Sequence, residues 1–144
     1  MIKSLKDLAL TERVYNELLE CYSFFTNIDK NEFDFSCFKL FVERLAENHN
    51  IYVYLEDDKI VGCITLIIEQ KIIHNGGKVG HIEDFVILED YRKQEIGKQL
   101  VDYVKNLCMQ NNCYKTILDC DEALEKYYIK KGFTKKGSYM TYYF

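Results

Sequence analysis

Two adjacent acidic residues, Glu83 and Asp84, lie inside an otherwise apolar segment with the composition of a β-strand. Because successive strand residues face opposite sides, one of the two carboxylates must point toward the core or toward a cleft. A carboxylate in such a place needs a partner or a function, and acid–base chemistry is one such function. The alternative is an edge or bulge position at which the carboxylate pairs with a lysine or an arginine.

Asp119 ends another strand-like segment, and Tyr127 and Tyr128 follow it on a short predicted helix. Ligand sites collect at the carboxyl ends of strands in α/β sheets, and a tyrosine hydroxyl beside such a site can donate a proton. Two structural alternatives stay open: Asp119 could cap the helix that follows, and the tyrosines could be core residues.

Residues 89–97 form a charged loop that leads into a predicted helix. A helix start presents unpaired backbone N–H groups and the positive end of the helix dipole, and both favour phosphate binding. Arg92, Lys93 and Lys98 add positive charge there. The alternative is a solvated loop. A Walker-type loop is excluded, because G-x-x-x-x-G-K-[ST] does not occur.

Hydrophobic periodicity predicts the elements that must hold these residues. Helices are predicted over residues 11–24, 35–47, 96–110 and 121–131, with Thr11 capping the first and Asp34 or Ser36 the second. Strands are predicted over residues 51–55, 60–68, 80–88, 114–119 and 138–144, and the segment 114–119 is expected to be buried. This order predicts a mixed α/β fold in a single domain, residues 1–144.

Composition narrows the class of protein. The 144 residues are 48% hydrophobic and 29% charged, which excludes a disordered tail or a fibre. Residues 1–72 hold 8 basic and 13 acidic side chains and residues 73–144 hold 11 and 10, so neither half is basic enough to bind nucleic acid. No apolar run is long enough to span a membrane, and the N-terminus does not resemble a signal peptide. With 12 Tyr, 9 Phe and no Pro, we expect an aromatic core.

The six cysteines include no C-x-x-C pair. We therefore expect free, buried thiols in a reducing cytoplasm. We expect no metal, because the three histidines do not interleave with the cysteines at ligand spacing.

Three segments taken together resemble the GNAT acyl-CoA N-acetyltransferases: Gly80-His81-Ile82-Glu83-Asp84, the loop from Arg92 to Gly97, and Tyr127-Tyr128 with Gly132-Phe133. Two more narrow the resemblance to the glucosamine 6-phosphate N-acetyltransferase family: Lys71-Ile72-Ile73-His74, and Cys113-Tyr114-Lys115 through Asp119-Cys120-Asp121-Glu122. The resemblance covers about residues 60–133. It implies the GNAT fold, a mixed and mostly antiparallel sheet that is flanked by helices and splayed at an acetyl-CoA site.

The resemblance also implies acetyl-CoA as co-substrate. The implied CoA contacts come from a strand backbone, the loop and one tyrosine: Phe85, Val86, Ile87, Arg92, Lys93, Gln94, Glu95, Ile96, Gly97, Lys98 and Tyr128. The family pattern has a glycine where this chain has Glu95. That glutamate restricts the backbone and adds negative charge near a pyrophosphate, so we expect it to point to solvent.

The implied reaction is direct attack of the amine of D-glucosamine 6-phosphate on the thioester, a step toward UDP-N-acetylglucosamine. Tyr128 is implied to stabilise the thiolate, and Asp119 to orient the amine or accept its proton. The implied sugar contacts, with Lys71 and His74 on the phosphate side, are Lys71, His74, Glu83, Asp84, Tyr114 and Asp119. The family's C-terminal arginine, which reaches across a dimer interface, is Tyr143 here, and its asparagine before the tyrosine is Leu124.

The aromatic tail suits a strand exchanged between subunits, so we expect a homodimer that acts on a small amino-sugar phosphate, with no nucleic-acid or membrane partner. Two other interpretations stay open: a GNAT acetyltransferase for another small amine or a protein amine, and a non-catalytic acyl-CoA-binding module. Cys120 as an acyl-carrying nucleophile is disfavoured, because no histidine is near it in sequence and the family transfers directly.

Overall fold

A computed structural model describes residues 1–92 and 94–144. One sheet has the strand order β1-β2-β3-β4-β5, antiparallel from β1 to β4 and parallel between β4 and β5. The strands are β1 (Ile2–Ser4), β2 (His49–Glu56), β3 (Lys59–Gln70), β4 (Lys78–Ile87) and β5 (Cys113–Ile117). The α-helices are α1 (Glu12–Tyr22), α2 (Phe35–Arg44), the single turn α3 (Ile73–Gly76), α4 (Ile96–Gln110) and α5 (Glu122–Ile129).

Side-chain caps start the first two long helices where the sequence predicts. The Thr11 hydroxyl accepts a hydrogen bond from the backbone N–H of Val14. The Asp34 carboxylate accepts one from the N–H of Cys37, so Asp34 rather than Ser36 is the cap of α2.

Helices cover both faces of the sheet, which confirms the mixed α/β class. The α1 and α2 helices bury one face, where Leu18 and Val53 belong to one cluster. The α4 helix buries the other face, where Leu100 packs with Ile64. The expectation of an aromatic core is wrong: the buried side chains of the described chain are mainly aliphatic, and the buried rings among them are Tyr15, Phe38 and Tyr128.

β5 pairs along its whole length with the first four residues of β4, from Lys78–Cys113 to His81–Ile117. β4 then continues to Ile87, beyond the end of β5. The β5-facing backbone edge of β4 is therefore left open past His81.

A bulge lies in the same stretch of β4. Thr65 on β3 is opposite Glu83, whereas Cys63 is opposite Val86, so two residues of β4 face a single residue of β3. Asp84 is one of the two and adopts a left-handed conformation with φ 46°. Such a bulge bends the strand and redirects side chains, and bulges are frequent next to active sites.

β5 and the tail differ from the predictions. β5 is not buried: it is an edge strand in the described chain, and Tyr114 and Ile117 are 37% and 38% exposed. Residues 138–144 form no strand and pair with none of the five strands of the described chain. Five tail side chains are at least 71% exposed: Tyr139, Met140, Tyr142, Tyr143 and Phe144.

Candidate active site

Glu83, Asp84 and Asp119 lie close together just beyond the last paired residues of β4 and β5, and we call them the carboxylate cluster. Partial burial raises the pKa of Glu83, and the charges of Asp119 and Asp84 raise it further. Burial also raises the pKa of Asp84; His49 opposes this rise, and Asp119 adds to it. Glu83 and Asp84 therefore hold a proton more readily than free carboxylates do.

Asp84 does lie in a bulge, but the pairing that the structural alternative requires is not found among the described residues. Glu83 and Asp84 form no salt bridge with a lysine or arginine within residues 1–92 and 94–144. The residue before α5 is Asp121, so Asp119 is not the cap of that helix. All three acids are left available to a ligand.

Tyr128 is buried beside the cluster, at 8% exposure. Its ring packs edge-to-face against Tyr127 and Phe133. Burial raises the pKa of its hydroxyl, and Tyr127, Cys120 and Asp119 raise it further. The hydroxyl therefore stays protonated at neutral pH, and it can donate to a developing anion but cannot serve as a base.

A cavity of about 520 Å³ opens between the end of β4, the start of α4 and α5. We call it the loop–helix cavity. Its walls are mostly apolar, with cations among them, which suits a ligand that has an apolar arm and phosphate groups. It is lined by Phe24, Phe85, Val86, Ile87, Tyr91, Arg92, Glu95, Gly97, Lys98, Leu124, Tyr127, Tyr128 and Lys131.

Glu95 precedes α4 in a left-handed conformation, φ 60° and ψ 1°. This backbone region suits glycine and is strained for other residues. The side chain is exposed, as expected, but it also lines the loop–helix cavity, so its charge acts on a ligand there. No side chain caps α4, and its first N–H groups therefore remain available to an anion.

Gly97 gives the cavity room on the side of α5. A Cβ at this position would lie 2.5 Å from the Tyr127 hydroxyl, so a larger residue would displace that ring. The first turn of α4 and the tyrosines of α5 can approach each other only because residue 97 is glycine.

The remaining implied CoA residues have different positions. The Arg92 Nε donates to the carbonyl of Ile87 at 3.1 Å, and its guanidinium lies 5.2 Å from the centre of the Phe24 ring. Gln94 does not line the cavity and donates to a loop carbonyl instead. The Ile96 side chain is in the core at 2% exposure, so only its backbone faces a ligand. Lys93 lies outside the described residues.

Sequence reasoning missed several cavity residues, among them Phe24, Tyr91 and Lys131. Phe24 was assigned to the first helix, but α1 ends at Tyr22 and leaves Phe24 in the following loop at 65% exposure. The Lys131 ammonium lies 3.9 Å from the centre of the Tyr127 ring. One feature of the sequence indicates this position: Phe24 and Phe25 lie beyond Tyr22, the last residue on the apolar face of the predicted helix.

The implied phosphate-side residues lie away from the carboxylate cluster. Lys71 forms an ion pair of 2.6 Å with Glu69, and the His74 ring stacks 4.0 Å from that of Tyr114. Tyr114 is level with the first residues of β4, and the strand rise places Glu83 about 13 Å further along. One chain therefore brings together Glu83, Asp84, Asp119 and Tyr128, but not Lys71, His74 or Tyr114.

Within the described ranges, no group of three or more His, Cys, Asp or Glu side chains could hold a metal ion. None of the helices there is both long enough and apolar enough to cross a membrane. All six cysteines are free; three of them are buried, whereas Cys37 is exposed, contrary to expectation, and Cys113 and Cys120 are partly exposed.

Comparisons with known sequences agree with this geometry. The Acetyltransferase (GNAT) family matches residues 11–133. Glucosamine 6-phosphate N-acetyltransferase of Arabidopsis thaliana is 35% identical over 105 residues, which cover 72% of this chain and 70% of the plant protein. Glucosamine 6-phosphate N-acetyltransferase 1 of Dictyostelium discoideum is 44% identical over 86 residues, which cover 60% of this chain and 55% of that protein's length.

Solved structures give the same result. The glucosamine-6-phosphate N-acetyltransferase of Arabidopsis thaliana superposes with a TM-score of 0.88 at 29% identity, covering 100% of this chain and 97% of that one. A Trypanosoma brucei acetyltransferase shares the fold, with a TM-score of 0.82 at 24% identity over 100% and 99% of the chains. The chain therefore belongs to the GNAT acetyltransferase family, and its sequence groups it there with the glucosamine 6-phosphate N-acetyltransferases.

Proposed function

We propose that this chain transfers the acetyl group of acetyl-CoA to the amine of D-glucosamine 6-phosphate and releases N-acetyl-D-glucosamine 6-phosphate and CoA. The observation that carries the proposal is that the loop–helix cavity and the carboxylate cluster meet at Tyr128, which lines the cavity and lies near Asp119. Direct transfer needs the thioester and the amine side by side. The names of the relatives support the choice of amino sugar.

In this proposal the loop–helix cavity holds acetyl-CoA, which supplies the acetyl group as a thioester. The open edge of β4 at Phe85–Ile87 faces the pantetheine arm, and a backbone N–H there polarises the thioester carbonyl. The uncapped start of α4, with Arg92 and Lys98, binds the pyrophosphate.

The carboxylate cluster acts on the amine, which must be neutral to attack. Asp119 and Glu83 bind the ammonium form, and Glu83, whose pKa is raised by partial burial and by the neighbouring acids, accepts its proton. The amine nitrogen then forms a bond to the thioester carbon, the carbon–sulfur bond breaks, and the nitrogen gives up one further proton, which balances the proton that the thiolate takes up to become the CoA thiol. The Tyr128 hydroxyl donates to the thiolate as it leaves.

A homodimer fits the parts of the chain that one copy leaves unpaired. The outer edge of β5 has no strand partner in the described chain, and the aromatic tail is exposed. Exchange of tails between two copies would pair both. Sedimentation equilibrium at micromolar concentration tests this proposal: twice the chain mass is expected, and the mass of a single chain would contradict it.

We place the enzyme in the cytoplasm, as a single domain, in a step that feeds UDP-N-acetylglucosamine synthesis. The free thiols support a reducing compartment.

Thiol release from acetyl-CoA with a panel of amines tests the proposed reaction. We expect turnover with glucosamine 6-phosphate and much less with glucosamine, polyamines or peptide N-termini. Preference for another amine would contradict the assigned substrate. CoA binding without turnover on any amine would contradict an enzymatic role and favour a binding module.

A further inference from the structure

Among the described residues, Thr65 is the single buried residue in the polar or charged class, and it is 3% exposed. Its hydroxyl oxygen, Oγ1, has no hydrogen-bond partner within residues 1–92 and 94–144. Burying a hydroxyl without a partner costs free energy, and valine would fill the same space without that cost. The hydroxyl therefore points to a partner that the free chain does not hold in place.

Thr65 lies beside the carboxylate cluster. It is opposite Glu83 in the β3–β4 pair, so both side chains leave the same face of the sheet, with Cβ atoms about 5 Å apart. Cys63, two residues earlier on β3, packs on that face in the cluster under α1 and α2. Ile64 packs on the opposite face under α4. The Thr65 hydroxyl is thus on the correct side of the sheet to reach the Glu83 carboxylate.

Tyr22 of α1 lies beside Thr65. Burial and the neighbouring Cys63 raise the pKa of the Tyr22 phenol, Thr65 lowers it, and the Asp84 charge raises it further. The phenol is therefore neutral, and it lies near both the hydroxyl and the acids. Although Thr65 lowers the pKa of Tyr22, no hydrogen bond of normal geometry joins Thr65 Oγ1 to it.

We infer that Thr65 is a positioning residue of the acceptor site, and that its hydroxyl donates a hydrogen bond to the Glu83 carboxylate when the amino sugar is bound. The inference rests on the proposed function, because that function assigns Glu83 to the amine. The bond holds the carboxylate toward the amine and favours its ionised form. The other titratable groups that face Glu83 or its neighbour Asp84 are Asp119 beyond β5, His81 on β4, Cys63 on β3, Tyr22 on α1 and His49 on β2.

Two variants of one residue test the inference by steady-state kinetics between about pH 5 and pH 9. Thr65→Val should lower kcat/KM for glucosamine 6-phosphate about tenfold, because it removes a hydrogen bond to a charged group. The acid limb of the pH profile should move to higher pH, since Glu83 loses a donor to its ionised form. The KM for acetyl-CoA should not change, and Tm should be equal or higher. Thr65→Ser keeps the hydroxyl and should restore both the rate and the profile.

The outcomes separate the two proposals. A Thr65→Val protein with the wild-type rate and pH profile would overturn the inference alone. So would a lower Tm with equal losses for both substrates, because the hydroxyl would then have a structural partner. Wild-type protein that is inactive on glucosamine 6-phosphate would overturn the proposed function, and the inference with it.

Discussion

The two halves of the candidate site are built differently. The loop–helix cavity is formed mainly by two short stretches of sequence, residues 85–98 and 124–131, and its apolar walls are complete in one chain. The carboxylate cluster joins β4 to the residues that follow β5, which are distant in sequence, and β5 beside it is an edge strand in the described chain. The proposed donor site is therefore formed within one chain, whereas the proposed acceptor site lies next to an open sheet edge, where we expect a second chain to contribute.

The largest effect is expected at Tyr128, where the two halves meet. Tyr128→Phe should lower kcat about a hundredfold with little change in either KM, because it removes only the donor to the leaving thiolate. Initial rates of thiol release give both constants. Tyr127→Phe is the matched control and should keep most of the turnover. An unchanged kcat with a raised KM would make Tyr128 a packing residue.

Removal of residues 138–144 should weaken binding of the amino sugar but not binding of acetyl-CoA, and it therefore tests the two halves of the site separately. The segment is exposed, so the remaining fold should persist. We expect KM for glucosamine 6-phosphate to rise about tenfold and the Kd for acetyl-CoA to stay constant, because loss of one or two contacts to a phosphate has an effect of this size. Titration calorimetry and kinetics measure the two constants. An equal loss of affinity for glucosamine 6-phosphate and for acetyl-CoA would contradict the difference between the two halves.

A smaller effect, on the affinity for acetyl-CoA, is expected in the loop–helix cavity. Glu95→Gln should tighten acetyl-CoA binding about threefold, since it removes an exposed negative charge from the cavity wall. Glu95→Gly removes the same charge and also relieves the left-handed backbone, so it should bind at least as tightly and melt at a higher temperature. Weaker binding by both variants would show that Glu95 contacts the ligand favourably.

The smallest effect is expected on thermal stability, when Glu83 of the carboxylate cluster is replaced. The raised pKa of Glu83 means that the folded chain holds this proton more tightly than the unfolded chain does. Stability therefore falls as pH rises from the ordinary carboxyl range through the raised pKa. Glu83→Gln removes this loss, and it should raise Tm by about 1–3 °C near pH 8 and leave it unchanged near pH 4. A lower Tm near pH 8 would show that the carboxylate is paired.

Local features of this fold were predictable from sequence because their causes are local. The Thr11 cap, the α2 cap at Asp34 and the span of α4 follow from side chains within a few residues. The left-handed Glu95 was foreseeable from the glycine that the family pattern has at that place.

Features that depend on distant pairing were not predictable in this way. The bulge at Asp84 is a property of the β3–β4 register, and the orphaned hydroxyl of Thr65 depends on what lies above it in the folded chain. The segment 114–119 has the apolar composition of a buried strand, yet one chain exposes it as an edge. Apolar composition favours burial, but it does not specify whether another strand pairs with this edge.

The central claim is that the acetyl group passes directly from acetyl-CoA to the amine while both substrates are bound. Two-substrate kinetics with acetyl-CoA and glucosamine 6-phosphate tests this claim most directly. We predict double-reciprocal plots that intersect, with the same kcat in a Cys120→Ser variant. Parallel plots together with an acetylated Cys120 would contradict direct transfer.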